Sequence, residues 1–225
     1  KQLNINLIFP NQLFEKSTIL ENSYTTFLIE EYLFFNQYKF HKQKILFHRD
    51  SMINYYSFLK NKGKNVKYIN SFDNESDVRV FLKNTNVKEI NIYNPVDNWL
   101  EKRIISSCLK EKIKINIHEN PLFLTKKSEL IPFFSPTKKK LFQTSFYKNQ
   151  RIKFSVLLDN QNKPEGGKWT YDDLNRKKYP KNKQTPSIDY SFLKSKSHND
   201  SLKYVSKYFS KNYGELNSSQ LYPTD

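Results

Sequence analysis

The amino-acid sequence predicts an α/β fold in which a doubly wound sheet of five parallel strands is followed by a helical and irregular linker. Short apolar runs alternate with helical patterns over the first 120 residues. This alternation is typical of βαβ crossovers, which place helices on both faces of a parallel sheet. From residue 159 to residue 197 the chain is instead polar, rich in Pro, Lys and Asn, and without periodicity. Such a stretch indicates a long connection.

Each element is predicted from its local pattern. The strands are the apolar runs "LNINLIF" (3–9), "TTFLIEE" (25–31), "VKYIN" (66–70), "EINIY" (89–93) and "KINIHE" (114–119). The longest helix is predicted over 41–62, where apolar residues recur at helical spacing and Gly63 follows as a terminating glycine. Further helices are predicted over 77–84, 98–111, 125–134 and 140–154, with one short helix between 201 and 225.

The amino-acid composition indicates which kind of partner and which cellular compartment to expect. A net charge of +16 favours an anionic partner such as nucleic acid, although an AT-rich coding sequence would enrich lysine regardless of function. The single cysteine, Cys108, excludes an internal disulfide and is expected to be a small buried residue. No apolar run reaches the length of a membrane span and no leader is recognisable. We therefore expect a cytoplasmic protein with no membrane contact.

The candidate site lies in loops after the predicted strands, because ligands of open parallel sheets bind beyond the carboxyl ends of the strands. These loops supply amides, carboxylates and aromatic rings, a set that suits a flat heterocycle. The residues are Asn11, Gln12, Glu30, Glu31, Phe34, Phe35, Tyr93, Asp97 and Trp99. The alternative is that Asn11 and Asp97 cap turns or helices and that the aromatic residues belong to the core. No glycine-rich phosphate loop, nucleophile elbow or zinc motif is present.

The segment from Pro164 to Pro180, "PEGGKWTYDDLNRKKYP", holds the only Gly-Gly pair of the chain and one of its two tryptophans. It lacks the strand and helix that a phosphate-binding loop requires. The glycines are expected to permit positive φ in a turn that places Trp169 and Tyr171 in a groove.

Several motifs resemble one known family. "FPNQLF", "LIEEYLFFNQYKFHKQKILFHRDSM", "IYNPVDNWLEKR", "FLTKKSEL" and "LLDNQNKPEGGKWTYDDLNRKKYP" occur in the order seen in deoxyribodipyrimidine photolyase-related proteins. This is the branch of iron–sulfur bacterial cryptochromes and photolyases that includes the prokaryotic (6-4) photolyases. The resemblance covers the chain from about Asn4 to Pro223.

The resemblance implies an N-terminal antenna fragment. Residues 1–135 would form a Rossmann-like antenna domain, and residues 136–225 a helical segment and interdomain linker leading to an absent C-terminal helical domain. In the full-length parent, that domain binds FAD and an iron–sulfur cluster. The fragment alone is not expected to be catalytically competent.

The family also implies a ligand, a site and a partner. Its antenna chromophore is 6,7-dimethyl-8-ribityllumazine in this branch, and the matching pocket candidates are Asn11, Gln12, Glu30 and Phe35, with Tyr93 and Pro95 as weaker ones. Many members have an aspartate in place of Asn11. The implied function is light harvesting for the FAD-dependent repair of UV-damaged DNA, with a monomer expected.

Two alternatives belong to other classes. One is a stand-alone α/β module that binds a ligand or a nucleotide without a repair role. The other is a basic nucleic-acid-binding protein whose pocket is vestigial, with the lysines of "KKYPKNK" (177–183) contacting phosphates.

Overall fold

The computed structural model describes residues 3–172, 175–189, 195–216 and 222–224. The chain divides into two compact units. The first unit comprises Lys1–Leu122 together with Asp189–Asp225, and the second unit comprises Phe123–Ile188. The division at residue 135 that the family resemblance implies concerns a full-length protein and stays a prediction.

The first unit contains a five-stranded sheet in which all adjacent strands are parallel. The strands are β1 (Leu3–Ile8), β2 (Thr25–Ile29), β3 (Val66–Ile69), β4 (Val87–Tyr93) and β5 (Lys114–His118), in the order β3-β2-β1-β4-β5. The predicted five-stranded parallel α/β fold is therefore confirmed, and each predicted strand is found within two residues of its expected ends.

The predicted helices are found in order, together with a short helix that was not predicted. The helices are α1 (Tyr32–Phe35), α2 (Lys42–Asn61), α3 (Val78–Asn84), α4 (Asn98–Lys110), α5 (Lys127–Leu130), α6 (Gln143–Lys153) and α7 (His198–Tyr208). Of these, α1 was not predicted, and α5 is shorter than the predicted 125–134. Gly63 has φ 72° directly after α2, the left-handed conformation that favours glycine at a helix end. Asp97 caps α4 by accepting hydrogen bonds from the Trp99 and Leu100 amides at 2.8 and 2.9 Å, which confirms the capping alternative for this carboxylate.

The two faces of the sheet carry separate hydrophobic clusters because successive strand side chains point in opposite directions. Ile5 and Leu7 of β1 pack with α3 and α4, whereas Ile8 packs with α2. Val205 and Phe209 join the cluster that contains α2. α7 therefore belongs to the core of the first unit, although 66 residues of the second unit precede its segment in the sequence.

None of the described helices is long and apolar enough to cross a membrane.

Cys108 gives the first testable prediction. Its side chain lies on the buried face of α4, and burial raises the pKa of the thiol from 9.0 to about 11. The thiolate is the reactive form, so we expect the native protein to react with an aromatic disulfide reagent at pH 8 roughly a hundredfold more slowly than the urea-unfolded chain. The absorbance of the released thiolate measures both rates. Equal rates would show that the thiol is accessible in the native fold.

Candidate functional site

The order in which strands are added to the sheet reverses between β3 and β4. The chain adds β2 and β3 on one side of β1 and then crosses over to add β4 and β5 on the other side. β1 lies at the centre and pairs with β2 on one side and with β4 on the other. The connections that leave the carboxyl ends of β1 and β4 therefore diverge, and this arrangement opens a crevice in doubly wound sheets.

A cavity of about 630 Å³ lies beyond the carboxyl end of β1, between the loop that follows this strand and α2. This volume is in the range of small-molecule pockets, about 300–1,000 Å³. Most of its lining is apolar, with four aromatic rings among the side chains. The lining residues are Pro10, Asn11, Leu13, Phe14, Glu15, Phe47, Ser51, Asn54, Tyr55, Phe58, Leu122, Pro223 and Thr224.

Two aromatic walls of the cavity are held in place by local contacts. The Tyr55 hydroxyl donates a hydrogen bond to the Phe14 carbonyl at 2.7 Å, which joins α2 to the loop after β1. The Tyr55 ring stacks on Phe58, with centroids 5.8 Å apart. Burial raises the pKa of Tyr55 to about 12, so its hydroxyl stays neutral at physiological pH. The rings therefore form a fixed apolar surface suited to a flat molecule.

Asn11 lines the cavity and also carries a buried, unpaired polar atom. Its Oδ1 atom is buried and has no hydrogen-bond partner among the described residues. A buried acceptor without a partner costs free energy that a donor on a ligand would recover. An unpaired acceptor on a lining residue makes Asn11 a candidate contact for a ligand.

The charge of the lining is unusual for so basic a chain. The chain carries 38 Lys and Arg residues, yet none of the residues that line the cavity in the described structure is basic, and Glu15 is its one charged residue. A phosphate or carboxylate in such a cavity would meet no counter-ion. The lining therefore favours an uncharged ligand.

Gln12 and Tyr93 join the ends of β1 and β4, and Tyr93 contacts the cavity wall. Gln12 is fully buried and donates a hydrogen bond through Nε2 to the Tyr93 carbonyl at 3.2 Å. The Tyr93 hydroxyl lies 2.9 Å from Ser17 Oγ, and its ring meets Phe14 edge-on at 5.3 Å. Pro95 is buried in the loop after β4. Tyr93 therefore supports the wall formed by Phe14.

Glu30 and Phe35 lie apart from the residues that line the cavity. Glu30 is fully buried after β2, where it accepts hydrogen bonds from Arg49 Nη1 at 2.6 Å, the Tyr68 hydroxyl at 2.6 Å and the Ser71 amide at 2.7 Å. Phe35 is fully buried in the cluster that contains α2. Of the six predicted site residues, Asn11 lines the cavity, Tyr93 contacts its wall at Phe14, and Gln12 hydrogen-bonds to Tyr93.

Sequence reasoning missed the contribution of α2. Phe47, Ser51, Asn54, Tyr55 and Phe58 recur at helical spacing and present one face of α2 to the cavity. The apolar pattern that predicted the helix lies on its other face, which includes Ile45, Leu46, Met52 and Leu59. The helical spacing of Phe47, Tyr55 and Phe58 was the signal in the sequence that could have predicted this cavity-lining face.

The structure is a doubly wound α/β domain with a cavity of small-molecule size beyond the carboxyl end of β1. Residues 6–221 match the family model described as deoxyribodipyrimidine photo-lyase-related protein, and the chain belongs to that family. It is 35% identical over 188 residues to an uncharacterized protein of Acanthamoeba polyphaga mimivirus, and this alignment covers 79% of the chain and 95% of the viral protein.

Proposed function

We propose that this chain is the antenna-chromophore-binding part of a photolyase-related protein of the iron–sulfur bacterial cryptochrome and photolyase branch. The observation that carries the proposal is the aromatic, cation-free cavity with the unpaired Oδ1 atom of Asn11. The chromophore proposed for it is 6,7-dimethyl-8-ribityllumazine or a close analogue.

The donor set fits this chromophore. Its ring system is flat and suits the surface formed by Phe14, Tyr55 and Phe58, and its ribityl tail carries hydroxyl groups and no phosphate. A hydroxyl or ring N–H of the ligand would donate to Asn11 Oδ1, and Ser51 lies among the lining residues to meet the polar tail.

The residues of the chain would bind and shield the chromophore, and they perform no bond chemistry. Bound there, an antenna chromophore absorbs light and passes the excitation to FAD, which we propose lies in a C-terminal helical domain. The chain has one cysteine, buried Cys108, so a cysteine-ligated iron–sulfur cluster would have to be held outside it. The proposed substrate of such a full-length, monomeric protein is UV-damaged DNA carrying (6-4) or cyclobutane pyrimidine dimers.

Titration with the ribityllumazine tests the cavity. We expect saturable binding, followed by the change in ligand fluorescence, and we expect Asn11→Leu to weaken it at least about tenfold because the ligand donor loses its acceptor. Asn61→Leu, an exposed position at the end of α2, is the matched control and should bind normally. A wild-type chain that takes up no ribityllumazine, or an Asn11→Leu variant that binds like the wild type, would contradict the proposed site.

A pair of flavins tests the charge argument separately. Riboflavin and its 5′-phosphate share one ring and differ by the phosphate group. Because no basic residue lines the described cavity, we expect the phosphorylated form to bind at least about tenfold more weakly. Equal affinities would show that the tail lies outside the cavity.

A stand-alone ligand-binding module is the second candidate. The alignment covers 95% of the viral relative, so that protein has little sequence beyond the aligned region. The coding sequence downstream of Asp225 separates the candidates, because the antenna role requires a flavin domain to receive the excitation. A flavin domain encoded there supports light harvesting, and a stop codon supports the stand-alone module.

A further inference from the structure

The basic charge of the chain is concentrated in the second unit. Residues 123–188 hold 15 of the 38 Lys and Arg residues and 5 of the 22 Asp and Glu residues, which gives this unit a net charge of +10 out of +16. A surface of this charge attracts polyanions. The other 159 residues carry the remaining +6.

Arg151 organises the second unit around the Gly-Gly segment. Its side chain is buried, and the guanidinium donates hydrogen bonds to the carbonyls of Trp169 at 3.0 Å, Val156 at 3.2 Å and Leu157. The guanidinium carbon also lies 5.7 Å from the Tyr147 ring centroid and 5.2 Å from that of Trp169. Arg151 therefore brings the Tyr147 and Trp169 rings close to one buried guanidinium.

The Gly-Gly turn contacts a third aromatic ring of the second unit, that of Tyr171. Gly166 and Gly167 have φ values of 73° and 75°, as the sequence predicts for this turn. A Cβ atom at Gly166 would lie 2.3 Å from the Tyr171 hydroxyl, which donates a hydrogen bond to the Glu165 carbonyl at 3.3 Å. Glycine is favoured here by its positive φ, and any larger residue would also have to displace the Tyr171 hydroxyl.

We call Tyr147, Trp169 and Tyr171 the aromatic platform: the first two rings lie near Arg151, and Tyr171 follows Trp169 by two residues. Tyr147 is 41% exposed, Tyr171 is 46% exposed and Trp169 is half-buried. Lys148 Nζ lies 5.7 Å from the Trp169 ring centroid, and Lys168 is exposed beside Trp169 in the sequence. The platform thus combines accessible rings with adjacent ammonium groups.

We propose that the aromatic platform binds single-stranded nucleic acid, with unpaired bases stacked on its rings and phosphates neutralised by Lys148 and the other lysines of the second unit. Exposed rings beside positive charge are the arrangement that binds single strands, because every base offers a flat face. In a duplex those faces are covered by neighbouring base pairs. This binding needs neither light nor a lesion, and it does not depend on the cavity of the first unit.

Tryptophan fluorescence tests the proposal in the full chain. The chain has two tryptophans, and Trp99→Phe leaves Trp169 as the only one. We expect an unmodified oligothymidylate to quench the emission of Trp169 saturably in the dark. Tyr147→Ala in the same background should weaken binding about tenfold, the effect of losing one stacked base. Tyr38→Ala, a 61% exposed tyrosine of the first unit, should leave the affinity unchanged.

The affinities of single-stranded DNA, single-stranded RNA and duplex DNA of equal length provide the second part of the test. Single-stranded DNA and RNA should both quench, and duplex DNA should bind at least tenfold more weakly. Lys148→Glu should weaken binding and reduce its dependence on salt, which supplies a second measure if Tyr147→Ala unfolds. Duplex binding as tight as single-strand binding would overturn the proposal. It would equally be overturned if Tyr147→Ala folds and binds normally, or if Trp169 is not quenched.

Discussion

Glu30→Ala is expected to lower the free energy of unfolding by about 3–5 kcal/mol, and thus the melting temperature by roughly 10 °C. The Glu30 carboxylate is fully buried and ion-paired with Arg49, whose side chain is 11% exposed. Removing the carboxylate leaves the Arg49 charge buried without its partner and removes the acceptor for the Tyr68 hydroxyl. Thermal and urea unfolding measure the loss.

Glu129→Ala is the matched control for this prediction. Glu129 pairs with Lys153 at 2.7 Å, nearly the distance of the Glu30–Arg49 pair, but both side chains are well exposed. Exposed ion pairs are screened by water and salt, so we expect the melting temperature to stay within about 1 °C of the wild type. Equal losses in the two variants would show that burial does not govern the strength of the Glu30 pair.

The sheet and its helices were predictable because their signals are local. The apolar strand runs, the position of Gly63 after α2 and the capping residue Asp97 each act within a few neighbours along the chain. Hydrophobic periodicity and capping are properties of such short windows. The loops after the strands could be predicted for the same reason.

The partners of the loop residues could not be predicted from the sequence. Glu30 and Asn11 both follow strands and looked equivalent, yet Arg49 from α2 and Tyr68 from β3 satisfy the carboxylate of Glu30, whereas the Oδ1 atom of Asn11 is left unpaired. Whether a buried polar side chain finds a hydrogen-bond partner depends on contacts between segments that are distant in sequence.

The docking of α7 illustrates the same limit. Its sequence predicted a short helix, but nothing local indicated that Asp50 of α2 would hold the start of this helix. Asp50 is fully buried and accepts hydrogen bonds from the hydroxyls of Ser195 at 3.0 Å, Ser197 and Thr224 at 2.9 Å. A charged residue inside a predicted amphipathic helix would ordinarily be assigned to solvent, and only the tertiary structure shows its partners.

Glu31, the neighbour of Glu30, is expected to make stability depend on pH in the direction opposite to an ordinary carboxylate. Burial is the largest effect on it and raises its pKa from 4.5 to about 7, although it accepts the Leu33 amide at 2.6 Å and lies 3.8 Å from Arg103 Nη1. Between pH 4.5 and 7 the folded state therefore holds a proton that the unfolded state has released. Stability from this group is full below pH 4.5 and falls as the pH rises to 7, by about 3 kcal/mol.

His48 opposes this effect over part of the same range. Burial, with a smaller contribution from Lys44, lowers the pKa of His48 from 6.5 to about 4. Below pH 6.5 the unfolded state gains a proton that the folded state does not take up until about pH 4. Stability from His48 is therefore full above pH 6.5 and falls as the pH decreases to 4. Between pH 4.5 and 6.5 the two groups change the free energy of unfolding in opposite directions as the pH rises. Together they should therefore leave the stability of the wild type nearly independent of pH in this range.

Single substitutions separate the two groups. Glu31→Gln keeps the size of the side chain and cannot ionise, so its free energy of unfolding should rise relative to the wild type by about 3 kcal/mol between pH 4.5 and 7, exposing the slope of His48. His48→Phe should expose the opposite slope, with stability falling as the pH rises. Urea unfolding at half-unit pH intervals measures all three proteins. If the difference between Glu31→Gln and the wild type is constant with pH, Glu31 is ionised in the folded state throughout, and the Arg103 and amide contacts outweigh its burial.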